Sequence, residues 1–182
     1  MNKKLIAVVA TAFMLAGCAS GVTREPGALA KRTSAPAYSQ FSSVSLSLTK
    51  EAKEKEVENL KFNPDELLGY VKRALDAQSL LNASADKPLP KLEVVITDMR
   101  VRSNFSAIMW GFMAGSDSIE GEIVLTDASG KELDRFVVST SYALGGIAGG
   151  QDSARMSWLY EKFAEETVKE LSKQQKSVVS QR

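Results

Sequence analysis

Cys18 is the only thiol of the 182-residue chain, and histidine is absent. Those two facts remove most of the reactive repertoire. Without imidazole there is no Ser-His-Asp relay, no histidine-bound metal and no proton shuttle working near neutral pH. Carboxylates remain. Glu120 and Glu122 stand two apart and so share one face of a strand, where such a pair can serve a glycosidic bond as acid and base. Alternating acidic residues also keep an exposed sheet face wet, and that reading is preferred. No catalytic residue is assigned, no cofactor or metal site is expected, and the chain is read as not an enzyme.

Two segments have the composition to contact another molecule. Gly145-Gly-Ile-Ala-Gly-Gly-Gln-Asp-Ser153 precedes a helix in the manner of phosphate-binding loops. It lacks the Lys-Ser/Thr ending of a P-loop, lies in no βαβ unit, and would bring Asp152 toward an anion. Gly145, Gly146, Gly149 and Gly150 instead suit a flexible connector, or a close-contact surface where two backbones approach. The second segment, Asn104 to Ser116, lies between two strands yet holds Phe105, Ile108, Met109, Trp110, Phe112 and Met113. Connections are ordinarily polar and run over the surface. These side chains either fold back to cap the core or form an exposed patch of the kind that meets a partner or a membrane. On the second reading Phe105, Ile108, Trp110, Phe112 and Met113 make that contact, with methionine lending adaptability. Arg100 and Arg102 are expected to pair with Glu120 and Glu122 across the sheet; anion recognition is the alternative.

The location of Cys18 narrows its role. Lys3 and Lys4 precede an apolar run from Leu5 to Ala16, broken only by Thr11, and small residues follow. This is the layout of a secretory signal, and it falls short of the roughly 20 apolar residues that span a bilayer. The junction Leu15-Ala16-Gly17-Cys18 resembles the lipobox of bacterial prolipoproteins. The resemblance implies removal of residues 1–17 and attachment of acyl chains, palmitate among them, to Cys18. Several chains on one residue pass the threshold for stable anchoring. Ala19 and Ser20, in place of aspartate, imply sorting to the outer membrane with the domain facing the periplasm; inner membrane and cell surface are the alternatives. The mature chain would keep 21 basic and 22 acidic residues, so no nucleic-acid surface is expected. A lipidated cysteine forms no disulfide, which leaves core burial to hold the fold.

Residues 18–40 mix small and polar types without apolar period and are expected to form the lipidated N-terminus and a flexible tether. Val44, Leu46 and Leu48 alternate with serines, as in a strand with one buried face. Lys50 to Glu58 reads as a solvated loop or helical turn. Asn63-Pro-Asp-Glu66 starts a helix whose Leu67, Val71 and Leu75 share a stripe. Leu92 to Val101 is a strand with a slip of phase near Asp98, suggesting a bulge. Ile119–Thr126 and Leu133–Tyr142 flank Asp127-Ala-Ser-Gly-Lys131 as a hairpin. Met156, Leu159, Tyr160, Phe163, Ala164, Thr167, Val168 and Leu171 line one face of a last helix. The expectation is a single α+β domain over 41–174 in the order β-α-β-β-β-α. Its sheet is largely antiparallel with helices packed on one face, and a polar tail follows over 175–182.

The stretch from Leu92 to Leu171 resembles uncharacterised bacterial lipoproteins of the domain of unknown function 4410 type. The likeness rests on Arg100-Val-Arg102, the glycines from 111 to 115, Glu122 to Leu133, a glycine cluster and a terminal amphipathic helix. It implies no activity or catalytic residue. Taken together, the residues and resemblances lead to a non-enzymatic outer-membrane lipoprotein whose periplasmic domain binds another cell-envelope component, a protein of unknown identity. A self-associating structural lipoprotein is one alternative, given Gly111-x-x-x-Gly115. A carrier of a small ligand or lipid is the other.

Overall fold

Alternation along the strands puts Val44, Leu92, Val94, Ile96, Ile119, Ile123, Leu125, Phe136 and Val138 on one sheet face, and the core forms there. The computed structural model describes residues 18–24, 40–59, 61–84, 86, 88–103, 115–143 and 151–179 (backbone only at Cys18 and beyond Lys173). Among them run β1 (Cys18–Thr23), β2 (Ser43–Leu48), α1 (Lys50–Glu58), α2 (Pro64–Ala77), β3 (Lys91–Arg100), β4 (Asp117–Thr126), β5 (Glu132–Tyr142) and α3 (Asp152–Val179). The strands make one sheet in the order β1-β5-β4-β3-β2. Only the β2–β3 pair is parallel, because α1 and α2 carry the chain back between them. The domain is α+β with a mostly antiparallel sheet.

Local chemistry explains the covering helices. Asn63 Oδ1 accepts the Glu66 N–H at 3.1 Å and Pro64 occupies the first turn, so α2 starts where its sequence says. Its Leu67, Val71 and Leu75 are buried, as is the whole expected stripe of α3. α3 lies on β5, β4 and β1, and α2 packs on α3 and β2. Phe163 comes close to the sheet at Gly121. A Cβ there would stand 3.1 Å from the Phe163 Cζ and 3.2 Å from the Val95 carbonyl oxygen. The hairpin turns on Gly130 at φ +86°, with Asp127 Oδ1 accepting the Ser129 and Lys131 N–H groups at 2.8 and 3.0 Å. The register shift between Ile96 and Asp98 is the expected bulge.

Three elements depart from the sequence reading. Residues 18–23, expected in the tether, pair with β5 as an edge strand. Cys-Ala-Ser-Gly-Val-Thr offers a single large apolar residue, Val22, too little to announce a strand. The mixed-charge run is a full nine-residue helix, α1, whose N-cap Thr49 accepts the Ala52 N–H at 3.1 Å. Only Ala52 is buried, so no stripe signalled it. Lastly, α3 continues past Lys173 to Val179, into the expected polar tail, through good helix formers such as Gln and Lys.

Candidate functional site

Three charges are withdrawn from water where β3, β4, β5 and the start of α3 meet. Asp117 and Arg155 are fully buried and Arg102 nearly so. Asp117 heads the inward alternation of β4, and this phase turns its carboxylate into the protein. Its Oδ1 accepts the Arg102 backbone N–H at 2.6 Å. Its Oδ2 accepts from Arg102 Nη2 at 3.0 Å and Arg155 Nη1 at 2.9 Å. Further Nη donors reach carbonyls: Arg102 Nη1 to Gly115 at 2.8 Å, Arg102 Nη2 to Tyr142 at 3.1 Å, Arg155 Nη2 to Arg102 at 3.1 Å. Asp152 also pairs with Arg155, and with Lys61 at 3.0 Å. Burial pushes the Asp152 carboxyl up, but hydrogen bonds and attraction from Lys61 and Arg155 outweigh it and hold its pKa below the usual carboxylate value. One carboxylate between two guanidiniums, with carbonyls taking other donors, keeps a buried cluster tolerable. Its groups are turned on one another.

Register extends this end of the sheet sideways. Arg100 stands opposite Ser118, Asp117 opposite Tyr142, and Tyr142 opposite Cys18. The flanks of both segments singled out in the sequence, Ser103 and Gly115 on one side and Ala143 and Gln151 on the other, belong to the same end. Gly115 is held at φ +84°, and a Cβ there would fall 2.6 Å from Arg100 Nη1. The segments themselves are another matter. Phe105, Ile108, Trp110, Phe112 and Met113, and Gly145, Gly146, Gly149 and Gly150, lie outside the described residues.

The strand that begins at Cys18 is fastened to the domain by side chains the sequence reading did not select. Ser20 Oγ donates to Glu166 Oε1 at 3.1 Å. Arg24, just past β1, reaches Asp134 Oδ1 at 2.8 Å and Glu170 Oε1 at 3.0 Å, with its guanidinium 4.9 Å from the Phe136 ring centroid. Burial opposes the Arg24 charge, while hydrogen bonds and attraction from Asp134 and Glu170 prevail and raise its pKa.

Arg102 does not pair with Glu120 or Glu122 as expected; its ion pair is Asp117. Glu122 pairs instead with Arg135, and Glu120 Oε1 lies 3.5 Å from Thr97 Oγ1, both carboxylates on the outer sheet face. The signal for Asp117 and Arg155 was present but polar: Asp117 falls in phase with Ile119 and Ile123, and Arg155 lies four residues before Leu159 on the core stripe of α3. Among the described residues no His/Cys/Asp/Glu cluster fits a metal ion, and no helix is long and apolar enough to cross a membrane. Open hollows among the described residues include one of about 710 Å³ between α2 and α3, lined by Tyr70, Arg73, Glu161 and Lys169, and one of about 280 Å³ over Ala19, Gly21, Glu120 and Ser139 on the outer sheet face.

A family model described as Domain of unknown function (DUF4410) matches residues 28–146. No protein with a curated description matches. Two crystal structures of the PelC dodecamer from Paraburkholderia phytofirmans, one of a point variant, are similar in layout. One shares 13% identity at a TM-score of 0.43, covering 82% of this chain and 96% of that one. The variant shares 14% at 0.40, covering 82% and 95%. Both scores are too low to transfer a role or an assembly state to this chain.

Proposed function

This chain belongs to the DUF4410 family, and from that premise we propose that it is a non-enzymatic lipoprotein of the outer membrane whose periplasmic domain binds another component of the cell envelope. The observation that carries the reading is the junction Leu15-Ala16-Gly17-Cys18 behind a basic start and a short apolar run. Acylation there confines the domain to a thin layer and raises its effective concentration toward membrane-bound partners. The register supports the same view, since the residue to be acylated and the flanks of both candidate contact segments share one end of the sheet. Phe105, Ile108, Trp110, Phe112 and Met113 are the contact residues of the proposal, and Gly145, Gly146, Gly149 and Gly150 are its close-contact loop.

Two measurements in living cells test it. An alkyne analogue of palmitate is expected to label the protein, and Cys18→Ser to abolish the label. Photocrosslinking from Trp110 and from Ile147 is expected to trap a discrete envelope protein, and to trap less of it when Cys18 is replaced. An unlabelled protein with an intact leader defeats the anchor; a labelled protein that crosslinks to nothing defeats the binding role.

A further inference from the structure

We infer that the mature domain lies directly on the bilayer without a spacer, and that the sheet end formed by Cys18, Tyr142, Asp117 and Arg100 faces the lipid headgroups. The inference rests on the reading of Cys18 as the acylated residue and adds an orientation and a contact surface to it. Two observations carry it. First, β1 begins at Cys18, whose backbone is already in register with Tyr142, so no residue separates the lipid-bearing position from the first strand pair. A flexible lead of n residues would give the domain freedom growing with √n; here n is zero. Second, β1 is held along its length and just past its end. Ser20 is hydrogen-bonded to the buried Glu166, Val22 packs against the core, and Arg24 is clamped by Asp134 and Glu170. A strand fastened at these points transmits the position of its first residue to the whole sheet.

The opposite end is correspondingly remote. From Asp117 to Thr126 the strand β4 advances roughly 30 Å, and the hairpin tip at Ser129 lies beyond. The near end offers Ser116 and Gln151, both at least partly exposed. Depth relative to the bilayer therefore separates the two ends sharply.

The test uses the full acylated protein in vesicles of phosphatidylethanolamine and phosphatidylglycerol, with nitroxide-headgroup lipid as quencher. Acylation consumes Cys18, so a cysteine introduced elsewhere takes a fluorescent label alone. A label on Ser116→Cys is expected to be quenched severalfold more than one on Ser129→Cys; Gln151→Cys supplies a second near-end position should Ser116→Cys fail to fold. Inserting about ten Gly and Ser residues between Cys18 and Ala19 should equalise the two ends, because it supplies the missing lead. Equal, weak quenching at both ends of the acylated, vesicle-bound protein overturns the inference and leaves the anchor standing, as does stronger quenching at Ser129→Cys. A processed chain whose mass shows a bare thiol, and which does not float with vesicles, overturns the anchor and the orientation together.

Discussion

Arg24 Nη1 stands 2.8 Å from Asp134 Oδ1, joining the end of β1 to a strand 110 residues further along the chain. The contact makes an N-terminal stretch of small residues part of the folded sheet. Both side chains are largely out of water, at 12% and 4% exposure, so the pair is screened far less than a surface bridge.

Replacing Arg24 with alanine takes away the guanidinium that Asp134 and Glu170 share, while Glu170 keeps the more exposed Lys173 at 3.2 Å. The expected cost is about 2–4 kcal/mol, at the lower side of what breaking a buried pair costs. Thermal unfolding measures it. Hydrogen exchange at the β1 amides should accelerate more than exchange elsewhere in the sheet. Arg24→Lys should recover only part of the loss, because one ammonium does not reproduce the fork that serves both carboxylates.

Asp117 carries two arginines, and its removal takes the shared buried carboxylate from both, leaving Arg155 its pair with Asp152. Asp117→Ala is expected to cost about 3–5 kcal/mol by denaturant unfolding. The double variant Asp117→Leu with Arg155→Met should lose clearly less than the sum of its single changes, since it withdraws both partners of one buried ion pair together. Additive losses would mean the two side chains act independently.

Periodicity revealed the parts of this fold that bury apolar side chains at regular spacing. The stripe of α3, the cap at Asn63, the hairpin around Gly130 and the slip at Asp98 were all legible, each because one residue type has one physical use there. β1 and α1 were not, since Val22 and Ala52 are their only sizeable apolar investments and their placement depends on distant partners. The charge cluster escaped for a related reason. Asp117 and Arg155 read as surface residues until the phase of β4 and α3 is known, and that phase turns them inward to meet Arg102 just past β3. The proposal of an anchor at Cys18 comes from motif, whereas its place opposite Tyr142 comes from tertiary pairing alone.

Two glycines should respond to substitution by different mechanisms. Gly121→Val drives a branched side chain toward Phe163, Ile96 and the Val95 carbonyl, all within 3.2 Å of a Cβ. Overpacking of this kind is expected to cost about 1–3 kcal/mol. Gly130 has no atom within 4 Å of a Cβ, but its φ is +86°, so Gly130→Ala pays only backbone strain of about 1 kcal/mol. Gly130→Asn, which tolerates that region better, should cost less than alanine. Equal losses for alanine and asparagine at Gly130 would remove the strain explanation.

The Tyr160 hydroxyl links stability to alkaline pH. It accepts the Asn63 N–H at 2.7 Å where α2 begins, with the Phe62 and Tyr70 rings 6.1 and 5.8 Å from its own. Burial pushes its pKa up to about 12, the hydrogen bond from Asn63 opposing only in part. An acid whose folded pKa lies above its unfolded value, near 10, binds its proton more tightly when folded. Its contribution is therefore complete below about pH 10 and is lost as pH climbs from there through about 12, by at most roughly 3 kcal/mol. Tyr160→Phe removes that dependence while leaving the Asn63 N–H without its partner, at about 1–2 kcal/mol near neutral pH. Urea unfolding of both proteins between about pH 8 and pH 11 reads the two effects together. The variant should begin less stable, and the gap should narrow as the medium becomes alkaline. A gap that stays constant or widens across that range would show that the folded protein does not hold the phenol in its neutral form.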